Sequence, residues 1–200
     1  MGTETLTTLA LAEELANLEF NQLSNDDIEQ IQRLILDYSA VTLCGSVQPW
    51  GRILTAWGRQ NGSGASSLIG SGSRVSAATA GLVNGTSAHG YELDDTHDAS
   101  MSHPGTVVIS AALAVGNEVG ASGPELMTAI VAGYEAMTRV GMAANPVKVI
   151  EFGRHPTCLF GPFGAAAAAG HLLGLDGAGI SKAWGIALSM ASGENQFAFE

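Results

Sequence analysis

The 200-residue chain carries a formal net charge of −11, with 46% apolar and only 14% charged residues, a balance that gives one substantial domain with a core of its own and a charge content below the usual quarter. Its 8 Lys and Arg residues are scattered, which excludes the clustered cations that a nucleic-acid partner needs. No apolar run reaches the about 18 residues of a membrane span, and the acidic start MGTETLTTLALAEELANL lacks the basic leader of a secretory signal and a convincing lipidation motif.

The pattern along the chain predicts helices almost throughout. Apolar residues at spacings of three and four predict a first helix over Leu6–Leu18. Ser24 with Asp27 reads as a capping box, and Ile28, Ile31, Ile35, Tyr38 and Thr42 mark one face of the helix behind it, with Gly45 as its stop. A short helix is expected over Trp50–Trp57. The Gly/Ser-rich stretch 61–73 leaves Ser67-Leu68-Ile69 as a short strand or buried turn. Ser76 opens a small-residue helix, and Thr106–Val119 is apolar and helix-length, although Val107, Val108 and Ile109 make its first turn ambiguous. Ser122 and Glu125 form another capping box, leading a helix to about Met142. Gly161, Pro162 and Gly164 are expected to hold a turn before an Ala-rich helix ending near Leu173, and a last helix is expected over Ala178–Ala191. Alanine and glycine on these faces predict close helix packing. Cys44 and Cys158 are too few and too distant for a disulfide scaffold or zinc cluster; they read as buried thiols in a reduced, cytoplasmic setting. The chain stops at Gln196–Glu200 without a polar ending, which reads as a fragment of something longer.

The stretch from Ala88 to His103, AHGYELDDTHDASMSH, holds three of the five histidines and four acidic residues in sixteen positions. His103 immediately precedes a predicted helix, where unpaired N–H groups and the helix dipole suit a substrate carboxylate and favour a neutral imidazole acting as general base. Asp94 and Asp95 cannot both be buried unpartnered, so at least one should bond to His, Thr96 or backbone. Two other readings stand beside this one. Asp94 and Asp98 can merely cap turns while His89 and His97 lie at the surface. Alternatively, His97, His103, Asp94 and Asp98 can supply mixed metal ligands, although the spacing matches no HExxH-like zinc pattern. Further on, Arg154-His155-Pro156-Thr157 sits in a loop before a helix. It offers a second imidazole for proton transfer, with Arg154 or Thr157 to hold a carboxylate. His171, mid-helix among Ala and Leu, reads as packed or at a rim.

Ser76-Ala77-Ala78, the run Leu82–His97 with its Asp94-Asp95-Thr96, His103-Pro104-Gly105, Ala129–Glu135, His155-Pro156-Thr157 and Phe163–Ala169 closely resemble the MmgE/PrpD family, in order and at family spacing. The resemblance implies an all-α, multi-helix domain spanning residues 1–200 and incomplete at its end, with the family's smaller α+β domain absent. It implies a cofactor-independent homodimeric enzyme, with no metal, that moves a proton next to a carboxylate of a small di- or tricarboxylate. Family activities include 2-methylcitrate dehydratase, cis-aconitate decarboxylase and iminodisuccinate epimerase; the first, a lyase, is the leading expectation. Carried over by position, His103 is the expected proton-transfer residue, His155 its partner, and Asp94 a catalytic aid, with Asp95, Thr96, Arg154 and Thr157 on the substrate. Two features depart from the family: Glu92 stands where Asp is common, and the family's catalytic lysines and tyrosine have no counterpart in the 200 residues, since Lys148 and Lys182 lie in other contexts. The 200 residues alone are therefore expected to be inactive. The competing class is a non-catalytic helical module for oligomerisation or metal binding.

Overall fold

The computed structural model describes residues 7–195. Leu6 and the abrupt Gln196–Glu200 ending lie outside them. Among the described residues the order is α1 (Thr7–Ala16), a 3-10 turn (Phe20–Gln22), α2 (Asn25–Ser46), α3 (Pro49–Gln60), β1 (Ser66–Ser67), β2 (Arg74–Val75), α4 (Ala77–His89), a 3-10 turn (Asp98–Ser100), α5 (Pro104–Val119), α6 (Gly123–Ala143), α7 (Pro146–Glu151), α8 (Pro156–Leu172) and α9 (Gly177–Met190). The fold is all-α, as the periodicity predicts. The two short strands pair antiparallel, with Ser66 opposite Val75. None of the described helices is long and apolar enough to cross a membrane.

Caps set the helix starts. Ser24 Oγ accepts the Asp27 N–H at 3.2 Å while Asp27 accepts the Ser24 N–H at 2.9 Å, and the same box forms between Ser122 and Glu125. Ser76 caps α4 and Asp176 caps α9. The core lies where α5, α6 and α8 cross, built from Val108, Ile109, Ala112, Ile130, Met137, Phe160 and Ala168, with Ile31 and Tyr38 of α2 against it. Tyr38, fully buried, shares a 2.7 Å hydrogen bond with Ser110, and burial pushes its hydroxyl up to about 12. α1 and α9 close one flank through Ala12, Leu15, Ile180 and Trp184. His171 is tied into this flank, its Nδ1–H donating to the Leu15 carbonyl at 3.1 Å.

Three expectations are corrected. Gly45 is not a stop: α2 continues to Ser46, and a Cβ on Gly45 would lie 1.8 Å from the Ser87 carbonyl oxygen. Glycine there lets α2 and α4 touch backbone to backbone. Gly161, Pro162 and Gly164 do not form a turn: α8 starts at Pro156 and runs through them, with His155 as its cap. Those glycines serve close approach, since Cβ atoms on Gly133 and Gly164 would each lie about 3 Å from the other's carbonyl oxygen. Pro162 sits inside the helix and forgoes one backbone bond. Finally, Cys44 and Cys158 are exposed, not buried.

Candidate active site

The site forms where the C-terminus of α4, the 90–103 loop and the N-termini of α5 and α8 meet. The loop is internally built. The His97 N–H donates to the Ser102 carbonyl at 2.9 Å, and the buried hydroxyls of Ser100 and Ser102 share a 2.7 Å bond. His97 is used up in it, its Nδ1 accepting the Ser100 N–H. Glu92 and Met101 both take the left-handed backbone conformation, with φ of 50°, which costs a non-glycine residue of order 1 kcal/mol and marks a backbone held by its surroundings.

Asp94 is the centre. Its side chain is 1% exposed and is shared by two imidazoles. His89 Nδ1 lies 3.0 and 3.2 Å from the two carboxylate oxygens, and His103 Nδ1 lies 3.4 Å from Oδ1 and 3.3 Å from the Asp94 carbonyl. An ionised carboxylate only accepts, so both Nδ1 atoms are the donors. Burial opposes the charge on Asp94, but hydrogen bonds from His103 and His89 outweigh it and hold the carboxyl below its ordinary value. The bond to Asp94 in turn raises His103 above its ordinary 6.5, against the opposing effect of burial. The helix N-terminus favours a neutral His103, and the adjacent Asp94 carboxylate acts in the opposite direction, favouring the protonated ring. His155 goes the other way: burial first, then the charges of His89 and His103, hold it below 6.5. Its Nδ1 accepts the Cys158 N–H at 3.3 Å, capping α8. The His89 ring lies 4.9 Å from that of His103 and 5.8 Å from that of His155.

The remaining expected residues take varied places. Thr157 is buried and its Oγ1 accepts the His103 N–H at 3.0 Å, fixing that backbone. Asp95, expected on the substrate, faces inward instead: Oδ1 accepts the Gly105 N–H at 2.9 Å and Oδ2 accepts the Tyr134 hydroxyl at 3.0 Å. Burial raises its carboxyl, with the charges of Asp94 and Asp37 adding to the shift, and Tyr134 is pushed well up by burial and by Asp95. Pro104 has no N–H and Asp95 takes that of Gly105, so the start of α5 is occupied by a side chain of the protein itself. Arg154, the expected cation, is ion-paired with Glu194. Thr96 is exposed.

A cavity of about 850 Å³ is lined by His89, Glu92, Met101, His103, His155 and Thr157, among others. A second, apolar groove of about 840 Å³ runs between α4, α5 and α8 and shares His89, Gly90, Thr157 and Cys158 with it. The Cys158 thiol on this shared rim, although exposed, is partly desolvated by its surroundings and is raised by that and by the charge of Glu92. Among the described residues, two trios bring potential metal-ligand atoms within 4.8 Å of one another, His89–Glu92–His155 and His89–Asp94–His103; His97 and Asp98 belong to neither. The arrangement suits acid–base chemistry: a carboxylate-backed imidazole that holds its proton beside one that gives its proton up easily.

Sequence reasoning gave His89 no role in the site and placed it at the surface only in one alternative reading; the structure puts it in the middle. The available signal was its position five residues before Asp94, at the end of a small-residue helix. Tyr134 stands in the Ala129–Glu135 run but gave no hint of its bond to Asp95.

The profile of the MmgE/PrpD N-terminal domain matches residues 9–200. Among curated proteins, the chain is 31% identical over 194 residues to the cis-aconitate decarboxylase-like protein oryM of Aspergillus oryzae, covering 93% of this chain and 40% of that protein. It is 29% identical over 184 residues to cis-aconitate decarboxylase of Aspergillus terreus, covering 89% and 38%, and 29% identical over 191 residues to the Mus musculus cis-aconitate decarboxylase, covering 92% and 39%. The chain thus spans about two fifths of the length of these relatives. With residues 9–200 matched by that profile, nearly its whole length, the chain belongs to the MmgE/PrpD family through its N-terminal domain.

Proposed function

We propose that the chain carries the acid–base part of a lyase site acting on a small di- or tricarboxylate. The observation that carries this reading is geometric: His103, backed by the buried Asp94 carboxylate, lines one cavity together with His155; Asp94 pushes His103 upward and burial pushes His155 downward. His103 then holds the proton to be delivered, while neutral His155, whose Nδ1 accepts the Cys158 N–H, keeps its own proton on Nε2 and serves as a hydrogen-bond donor toward the substrate. The names of the relatives favour decarboxylation of a cis-aconitate-like substrate over dehydration or epimerisation, which use the same proton handling. In that step the bond from the substrate carbon to one carboxylate breaks and CO₂ leaves. The electron pair is delocalised toward a neighbouring carboxylate, and the His103 N–H then protonates the carbon. Side chains alone supply this chemistry, so no cofactor enters the reading. Cationic His103 is the positive group of the pocket, while Arg154 is neutralised by Glu194. Lysines from elsewhere in the homodimeric, cytoplasmic protein complete the grip on the carboxylates.

The test is turnover by the intact protein of cis-aconitate and 2-methylcitrate, followed as CO₂ release and as loss of water. One of them is expected to react, and His103→Ala to lower the rate by about 10²–10⁴-fold. Failure on every small polycarboxylate, or a fully active His103→Ala, contradicts the reading. The two ligand trios favour a second reading, a metal-binding helical module. Tight metal retained until chelation, together with no turnover, identifies that outcome.

A further inference from the structure

The expected site residues do not include His89, yet it touches more of the site than any of them. It ends α4, whose last turns are locked in place by buried Ala88 and by the contact of Ser87 with Gly45. Its Nδ1 reaches both oxygens of Asp94, at 3.0 and 3.2 Å, and shares Oδ1 with His103, whose ring lies 4.9 Å away. At the other end of the ring, Nε2 is buried with no hydrogen-bond partner among the described residues. It faces Glu92, whose Oε1 lies 3.9 Å from His89 Nε2 and 3.9 Å from His155 Nε2.

Resting on the proposed proton transfer, we infer that His89 is a positioning residue, holding Asp94 against His103 and standing between His103 and His155. A carboxylate side chain only 1% exposed has little solvent to orient it, so its aim at His103 depends on His89, the donor that spans both of its oxygens. Without that donor the group can rotate toward the backbone or take up a proton, and His103 loses the partner that keeps it charged. The same ring lies beside His155, where its charge disfavours a second proton. The groups facing His155 are His89 from α4, Glu92 from the loop, His103 from the start of α5 and Cys158 from its own helix. Those facing His103 are Asp94, Glu92 and His89.

The test compares His89→Ala with His89→Asn in the intact protein. The asparagine amide puts an N–H close to the place of Nδ1 but carries no charge. His89→Ala is expected to lower kcat by roughly 10–100-fold, the cost of removing a partner that orients a functional group, with KM nearly unchanged. His89→Asn is expected to recover most of kcat. In both variants the imidazole NMR titration of His155 moves up toward 6.5, since a neighbouring charge is gone; in His89→Ala the titration of His103 also moves. A folding defect alone would lower the amount of active enzyme without displacing either titration. Both variants matching wild type in kcat and in the two titrations, while His103→Ala is inactive, overturns this inference and leaves the proposed function standing. A fully active His103→Ala overturns both.

Discussion

Asp94→Asn is expected to lower activity by about 10²–10⁴-fold, the range for losing positioned acid–base catalysis, and to bring the His103 titration down to its ordinary 6.5 or below. The bond from Asp94 is the largest influence raising His103, and the amide cannot supply a charge. With that gone, burial is opposed only by the bond to the residue-94 carbonyl and by Glu92, and His103 holds the proton to be delivered less well. Stability should fall too, by about 1–3 kcal/mol, because two imidazole N–H groups lose their carboxylate acceptor. The pH dependence of that loss has a definite sign. Asp94 is held below its usual 3.8, so its contribution is complete above 3.8 and fades as the pH falls through the lower folded value. His103 is held above 6.5, so its contribution is complete below 6.5 and fades as the pH rises through the higher folded value. Wild type and Asp94→Asn should therefore differ most between 3.8 and 6.5 in urea or thermal unfolding. A difference that is flat with pH would show that the pair carries no charge-dependent stability.

Gly45→Ala is expected to be the most damaging small change in the scaffold, costing about 3 kcal/mol or more. The added methyl would lie 1.8 Å from the Ser87 carbonyl oxygen and 2.7 Å from its carbon. Backbone cannot rotate aside as a side chain can, so α2 and α4 must separate. That separation moves the C-terminus of α4, and with it His89. The variant should unfold at lower denaturant concentration and lose activity in the folded population as well. Gly81→Ala in α4, the helix that Gly45 of α2 touches, is the control, because its Cβ would meet nothing within 4 Å. Equal stability of the two variants would refute the close contact.

The helices were legible because their signals are local. Ser24 with Asp27, and Ser122 with Glu125, carry their caps within four residues, and apolar spacing shows which face turns inward. Gly45, Gly161 and Gly164 misled because a glycine that ends a helix and one that lets two helices touch look the same in sequence; only the partner backbone tells them apart. The site was legible as residue types: His103, His155, Asp94 and Thr157 meet as their clustering and motif positions suggest. Their acid–base states were not. The dipole of α5 argued for a neutral His103, but Asp94 folds back onto it and Asp95 occupies the helix start. Likewise Arg154 could not be known to face Glu194, forty positions away, nor Asp95 to be met by Tyr134 from α6. These pairings depend on how the helices cross, which no local pattern encodes.

The most direct check is the pH titration of individual histidine rings by NMR in the intact protein, with each ring assigned by substitution. His103 should titrate above 6.5 and His155 below it, so that between the two titrations one imidazole keeps its added proton while the other lacks one. Two rings that titrate together, or in the reverse order, would contradict a division of labour between them.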